Sequence, residues 1–91
     1  MKKAILKGTE KQVAWAEDIR REFIDFTLGK DTSDEIREEV IEMMSENRRN
    51  LFLELMDVEN AKWWIENREH LGFGIKHIAG RIKTGKMIIG K

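Results

Sequence analysis

The chain has 91 residues, 41% hydrophobic and 37% charged, with 17 basic and 17 acidic side chains and a formal net charge of zero. That is one small domain's worth of chain, with enough apolar residues for a limited core. The absence of cysteine excludes disulfides and thiolate metal centres, the absence of proline favours uninterrupted helices, and no apolar run approaches the ~18 residues of a membrane span.

The charge is unevenly placed: residues 1–11 carry +3, residues 12–71 carry −8 and residues 72–91 carry +5. An acidic middle between basic ends does not specify a fold, but it selects partners by sign. The opening Met1-Lys2-Lys3-Ala4-Ile5-Leu6-Lys7 is basic without a following apolar h-region. It does not read as a signal peptide, and a chain without cysteine suits a reducing cytosol.

A first helix is predicted over residues 10–28. Thr9 and Gln12 make a capping box, and Val13, Ala16, Ile19, Phe23 and Phe26 recur at helical spacing with Trp15 beside them. Gly29 stands where a left-handed residue ends a helix. A second helix is predicted over 33–56. Thr32 and Glu35 form another capping box, Asp34 and Glu35 suit the positive end of the helix dipole, and Ile36, Val40, Met43 or Met44, Leu51 and Leu55 carry the apolar stripe. The polar run Ser45-Glu46-Asn47-Arg48-Arg49-Asn50 weakens that stripe. One long helix is the reading adopted, with two shorter helices bending there as the alternative. A third helix is expected over 58–71 behind an Asp57 cap, burying Val58, Ala61, Trp64, Ile65 and Leu71 and stopping at Gly72; its continuity with the second is open.

In the tail, residues 73–91, Ile75, Ile78, Ala79 and Ile82 keep helical spacing, although Gly80 weakens a helix there by roughly 1 kcal/mol relative to alanine. Thr84-Gly85 reads as a turn. Met87-Ile88-Ile89 and Ala4-Ile5-Leu6 are short and apolar, and suggest a two-stranded ribbon joining the termini. The expected fold class is mainly α: a compact three- to four-helix domain over residues 1–91 with that short ribbon.

Two strings imitate catalytic motifs. Gly80-Arg81-Ile82-Lys83-Thr84-Gly85-Lys86 spells most of a phosphate-binding loop, but Met87 replaces the Mg²⁺-binding hydroxyl and too little chain follows to build the helix the motif needs. Glu66 and His70 are i,i+4 neighbours with Glu69 between them and His77 as one extra ligand, but a zinc site needs more ligands than this face supplies. Ser33 and Ser45 sit at capping or polar helix positions, with only two histidines to serve as bases. No catalytic residue, metal or cofactor is expected, and the chain reads as a binding protein.

Two surfaces compete for that role. Glu35, Glu38, Glu39, Glu42 and Glu46 form a carboxylate stripe on one helix face, which is either a solvated surface or a dock for a basic partner, including a surface built for nucleic acid. Lys76, His77, Arg81, Lys83, Lys86 and Lys91 form a basic tail, which either balances the acidic middle or neutralises nucleic-acid phosphates; Phe73 alone makes no stacking platform. Trp63 and Trp64 project about 100° apart on a helix. Either both join Trp15 in locking the first helix to the third, or Trp63 is an exposed anchor for a partner.

Gly8-Thr9-Glu10-Lys11-Gln12-Val13-Ala14-Trp15-Ala16-Glu17-Asp18-Ile19-Arg20 and Ala61-Lys62-Trp63-Trp64-Ile65-Glu66-Asn67-Arg68 together resemble a loose group of small proteins from bacteriophages and bacterial mobile elements. The two strings cover 21 of the 91 residues and describe how the first helix packs on the tryptophan-bearing one. The resemblance implies a protein of mobile-DNA origin acting in a bacterial host's cytoplasm. That setting includes anti-CRISPR inhibitors, with a host protein such as a CRISPR-associated nuclease as partner.

Overall fold

Helix starts in this chain are set largely by small polar side chains that take up the amides left unpaired in each first turn. The structure, a computed structural model, describes residues 1–90, so Lys91 of the basic tail lies outside the described residues. In α1, Glu10–Leu28, the Gln12 amide donates to Thr9 Oγ1 at 3.2 Å and the Thr9 amide donates to Gln12 Oε1 at 3.0 Å, the expected capping box. Gly29, at φ 105°, ends it and donates its amide to the Asp25 carbonyl.

The chain continues as α2 Asp34–Met43, α3 Glu46–Met56, α4 Ala61–Glu66, α5 Arg68–Leu71 and α6 Ile75–Lys83. Ser33, not Thr32, caps α2 by accepting from the Ile36 amide, while the Thr32 hydroxyl donates to the Gly29 carbonyl and accepts from Arg37 Nε. The long helix expected over 33–56 is two helices. Met44 is extended at φ −66°, ψ 152°, and Ser45 caps α3 by accepting from the Arg48 amide. The polar run in the middle of that stretch therefore marks a helix start.

The helix expected over 58–71 is also divided. Asp57 closes α3 rather than opening the next helix, and Asn60 caps α4 by accepting from the Lys62 amide at 3.0 Å. The N-terminal segment pairs with the connection before α4, where Asn60 is extended: the Lys7 amide donates to the Glu59 carbonyl at 2.7 Å, and the Ala61 amide donates to the Lys7 carbonyl at 3.0 Å. This pairing corrects the expected ribbon. Lys7 bridges Asn60 in parallel and the Ala4 amide donates to the Met56 carbonyl, so Ala4-Ile5-Leu6 finds its partners at the α3–α4 connection and not at Met87-Ile88-Ile89. Arg20, buried on α1, holds the same segment from the other side by donating to the Ala4 carbonyl at 2.7 Å. Burial pulls its guanidinium below the ordinary arginine value, and Glu17 opposes that shift.

One cluster of buried apolar side chains runs through all of these elements. Its centre is aromatic. Trp63 and Trp64 meet edge to face at 5.3 Å, Phe23 lies 6.4 Å from Trp64, and Phe23 stacks on Phe52 at 6.2 Å. α1 packs chiefly on α4, while α6 closes the other side against α3 and α5. The molecule is 18 Å through its thinnest dimension, which is two helices deep.

Trp64 is fully buried in that cluster and its indole N–H donates to the Val58 carbonyl at 3.3 Å. Trp64→Ala should therefore cost about 3–5 kcal/mol, the range of large aromatic truncations. Chemical denaturation would measure it, and a loss below about 1 kcal/mol would contradict this core.

Candidate functional site

Four of the five stripe carboxylates share one face of α2: Glu35, Glu38, Glu39 and Glu42 are all exposed. Glu46, also exposed, belongs to α3 beyond the Met44–Ser45 break, so the stripe is one helix shorter than expected. Among the described residues only Glu38 of this set has an ion-pair partner, the Met1 amino group at 3.0 Å. Arg37, the one base within α2, turns away to Asp25 at 2.6 Å and to the Gly29 carbonyl. Apart from Glu38, the α2 carboxylates are left without an ion-pair partner among the described residues.

The tail residues lie on α6 and the turn after it. Lys76, Lys83 and Lys86 are exposed and make no ion pair among the described residues. Arg81 is half-buried, and its guanidinium reaches the Lys86 carbonyl at 3.3 Å. The string that imitates a phosphate loop has the opposite polarity. Gly85, at φ 73°, donates to the Ile82 carbonyl and Lys86 donates to the Arg81 carbonyl, a Schellman closure of the C-terminal end of α6. Two amides that a phosphate would need are consumed in ending a helix.

Glu66 and His70 do line one recess of about 400 Å³, together with Asn67, Arg81 and Lys86. His77, however, faces His70 directly: Nδ1 of His70 lies 3.2 Å from Nε2 of His77, a hydrogen bond in which one ring donates and the other accepts. Among the described residues, no three metal-ligating side chains converge anywhere.

Of the two readings of the tryptophans, the structure follows the one that buries both Trp63 and Trp64, but it leaves Trp15 out of that core. Trp63 is only 1% exposed, and its indole N–H donates to the Ile88 carbonyl at 2.8 Å, so it is a core residue that fastens the C-terminal segment and not an exposed anchor. Trp15 is the exposed one, at 48%, with the Arg68 guanidinium 5.1 Å from its ring centroid. Phe26, expected in the core stripe, is 67% exposed. With half-buried Ile19 these residues edge a groove of about 560 Å³ between α1 and α5, floored by Phe23, Leu71 and Gly72. Asp18, Glu22, Arg68 and Glu69 complete its lining.

This groove is what the sequence reading missed. At about 100° per residue, Trp15, Ile19 and Phe26 fall within roughly 40° of one another on α1, centred roughly 120° from the buried Ala16–Arg20–Phe23–Ile24–Leu28 face. The helix has two apolar faces, and treating its apolar residues as a single stripe merged them.

No protein-family model, curated protein or solved structure matches this chain.

Replacing the Trp63 indole by a phenyl ring removes its N–H together with part of its buried ring, and should free the C-terminal segment. Trp63→Phe is expected to lose about 1–3 kcal/mol and to speed amide hydrogen exchange over residues 86–90, as followed by NMR. Unchanged exchange there would contradict the fastening role.

Proposed function

We propose that the chain is a non-catalytic binding protein of mobile-DNA type that docks on a basic, nucleic-acid-handling surface of a bacterial host protein. Its specific form would be an anti-CRISPR inhibitor of a Cas nuclease, acting in the host cytoplasm. The observation that carries this reading is the α2 face, where Glu35, Glu38, Glu39 and Glu42 project into solvent with one ion pair among them. An uncompensated carboxylate row costs self-repulsion in the free protein, and a basic partner relieves it while speeding association. Glu46, exposed at the start of α3, extends the same charge. The resemblance of residues 8–20 and 61–68 to phage and mobile-element proteins supplies the setting.

A second reading is that the chain itself binds nucleic acid through Lys76, Lys83 and Lys86, with Arg81 beside them. It is favoured by one observation: those lysines are not taken up in balancing the acidic middle.

The test is DNA cleavage by guide-loaded Cas nucleases titrated with the wild-type protein and with a Glu35→Lys, Glu38→Lys, Glu39→Lys, Glu42→Lys variant. The reading predicts inhibition that the variant loses by about a hundredfold or more, with its helical circular dichroism retained. Undiminished inhibition by the variant would contradict docking through α2. Steeply salt-dependent gel shifts of free nucleic acid, lost on Lys76→Ala, Lys83→Ala and Lys86→Ala substitution, would favour the second reading instead.

A further inference from the structure

The groove between α1 and α5 shares no residue with the α2 face and carries an argument of its own. Its apolar edge is a ridge of one helix: Trp15, Ile19 and Phe26, with Trp15 about half and Phe26 largely in solvent. Two exposed aromatics that share one ridge beside a formed concavity, rather than scattered singly, mark a place where a ligand can seat. At about 560 Å³ the concavity takes one or two large side chains of a peptide, and not the flat face of a folded domain.

The rim decides the sign of the occupant. Arg68 is the one basic side chain in the lining beside Asp18, Glu22 and Glu69, and neither Glu22 nor Glu69 has an ion-pair partner among the described residues. Asp18 is bound to Arg21 at 2.7 Å. Such a rim repels phosphates, so nucleic-acid bases stacking on Trp15 are disfavoured despite the available ring. It attracts cations. The free protein already shows how one is taken: Arg68 lies over the Trp15 ring while its Nη1 donates to the Ile65 carbonyl at 2.6 Å.

We propose that this groove is a docking site for a peptide segment that presents bulky apolar anchors flanked by lysine or arginine, in the manner of an amphipathic helix. The anchors pack between Trp15, Ile19 and Phe26 over Phe23 and Leu71. The flanking cations pair with Glu22 and Glu69 at the rim. Trp15 is the residue on which affinity turns, as a half-exposed aromatic at the mouth of a pocket.

A synthetic amphipathic helix of about 18 leucines and lysines at helical spacing is a suitable probe, titrated into the full chain and followed by ¹H–¹⁵N NMR. The proposal predicts saturable binding with shifts concentrated at the Trp15 indole and along the 15–26 face of α1. A Trp15→Ala, Phe26→Ala variant should weaken it about tenfold or more with an unchanged thermal transition, and Glu22→Lys with Glu69→Lys should do the same. A leucine–glutamate helix of the same pattern should not bind. The α2 charge-reversal variant should bind the probe as wild type does, which separates failure here from failure of docking through α2. Several results would overturn the proposal: no saturable binding, binding indifferent to the groove variants, or loss of binding in the α2 variant alone. Tighter binding of oligothymidylate at Trp15 would point to nucleic acid instead. Self-association in sedimentation that Trp15→Ala abolishes would assign the groove to a second copy of the chain.

Discussion

The fold depends on burying two adjacent indoles on a helix of six residues, Ala61–Glu66. Neighbouring helical positions diverge by about 100°, so one helix cannot bury both against a single flat surface. The chain resolves this by building on two sides of α4. Trp64 enters the side occupied by α1, where Phe23 meets it and in turn stacks on Phe52 of α3. Trp63 is covered from the other direction by the C-terminal segment, whose Ile88 carbonyl takes its N–H. The edge-to-face contact at 5.3 Å between the two rings makes the halves of the core interdependent.

The same demand explains the ends of the chain. A buried indole N–H needs an acceptor, and the acceptors come from irregular backbone: Val58 for Trp64 and Ile88 for Trp63. Val58 can offer its carbonyl because residues 58–60 lie outside the helices, in a connection to which Ala4 and Lys7 bond. Arg20 then secures Ala4 from α1. The N-terminal segment is held by backbone hydrogen bonds to residues 56–61 and the C-terminal segment by the Trp63 indole N–H, an arrangement different from the terminal ribbon that their apolar composition suggests.

Much of this was legible where local chemistry dominates. The Thr9–Gln12 box, the Gly29 stop, the helical spacing of Ile75, Ile78 and Ile82, and the depth of Trp64 all follow from neighbours in sequence. The break at Met44–Ser45 was visible as a polar run but ambiguous, because a polar helix face and a helix start share the same residues. Asp57 and Thr32 have the right chemistry for caps yet lose to Asn60 and Ser33, because pairing with Lys7 and bonding to Arg37 hold the chain in other conformations. Tertiary partners of that kind leave no local signal. The choice between core and exposed anchor for Trp63 is of the same sort: it is covered because the C-terminal segment returns to accept its N–H. The α2 carboxylates were legible as a face, and the structure adds that their charge goes largely unanswered within the fold.

Once Trp63 and Trp64 fill the core, α1 has more apolar side chain than the core can take, and Trp15, Ile19 and Phe26 are left along the groove. The division of the three tryptophans into two structural indoles and one surface indole is therefore the claim on which the fold and the groove both rest. Hydrogen exchange of the indole N–H groups, resolved by NMR and assigned by single Trp→Phe substitutions, tests it most directly. The account predicts strong protection for Trp63 and Trp64 and rapid exchange for Trp15. A rapidly exchanging Trp63 indole, or a protected Trp15, would contradict it.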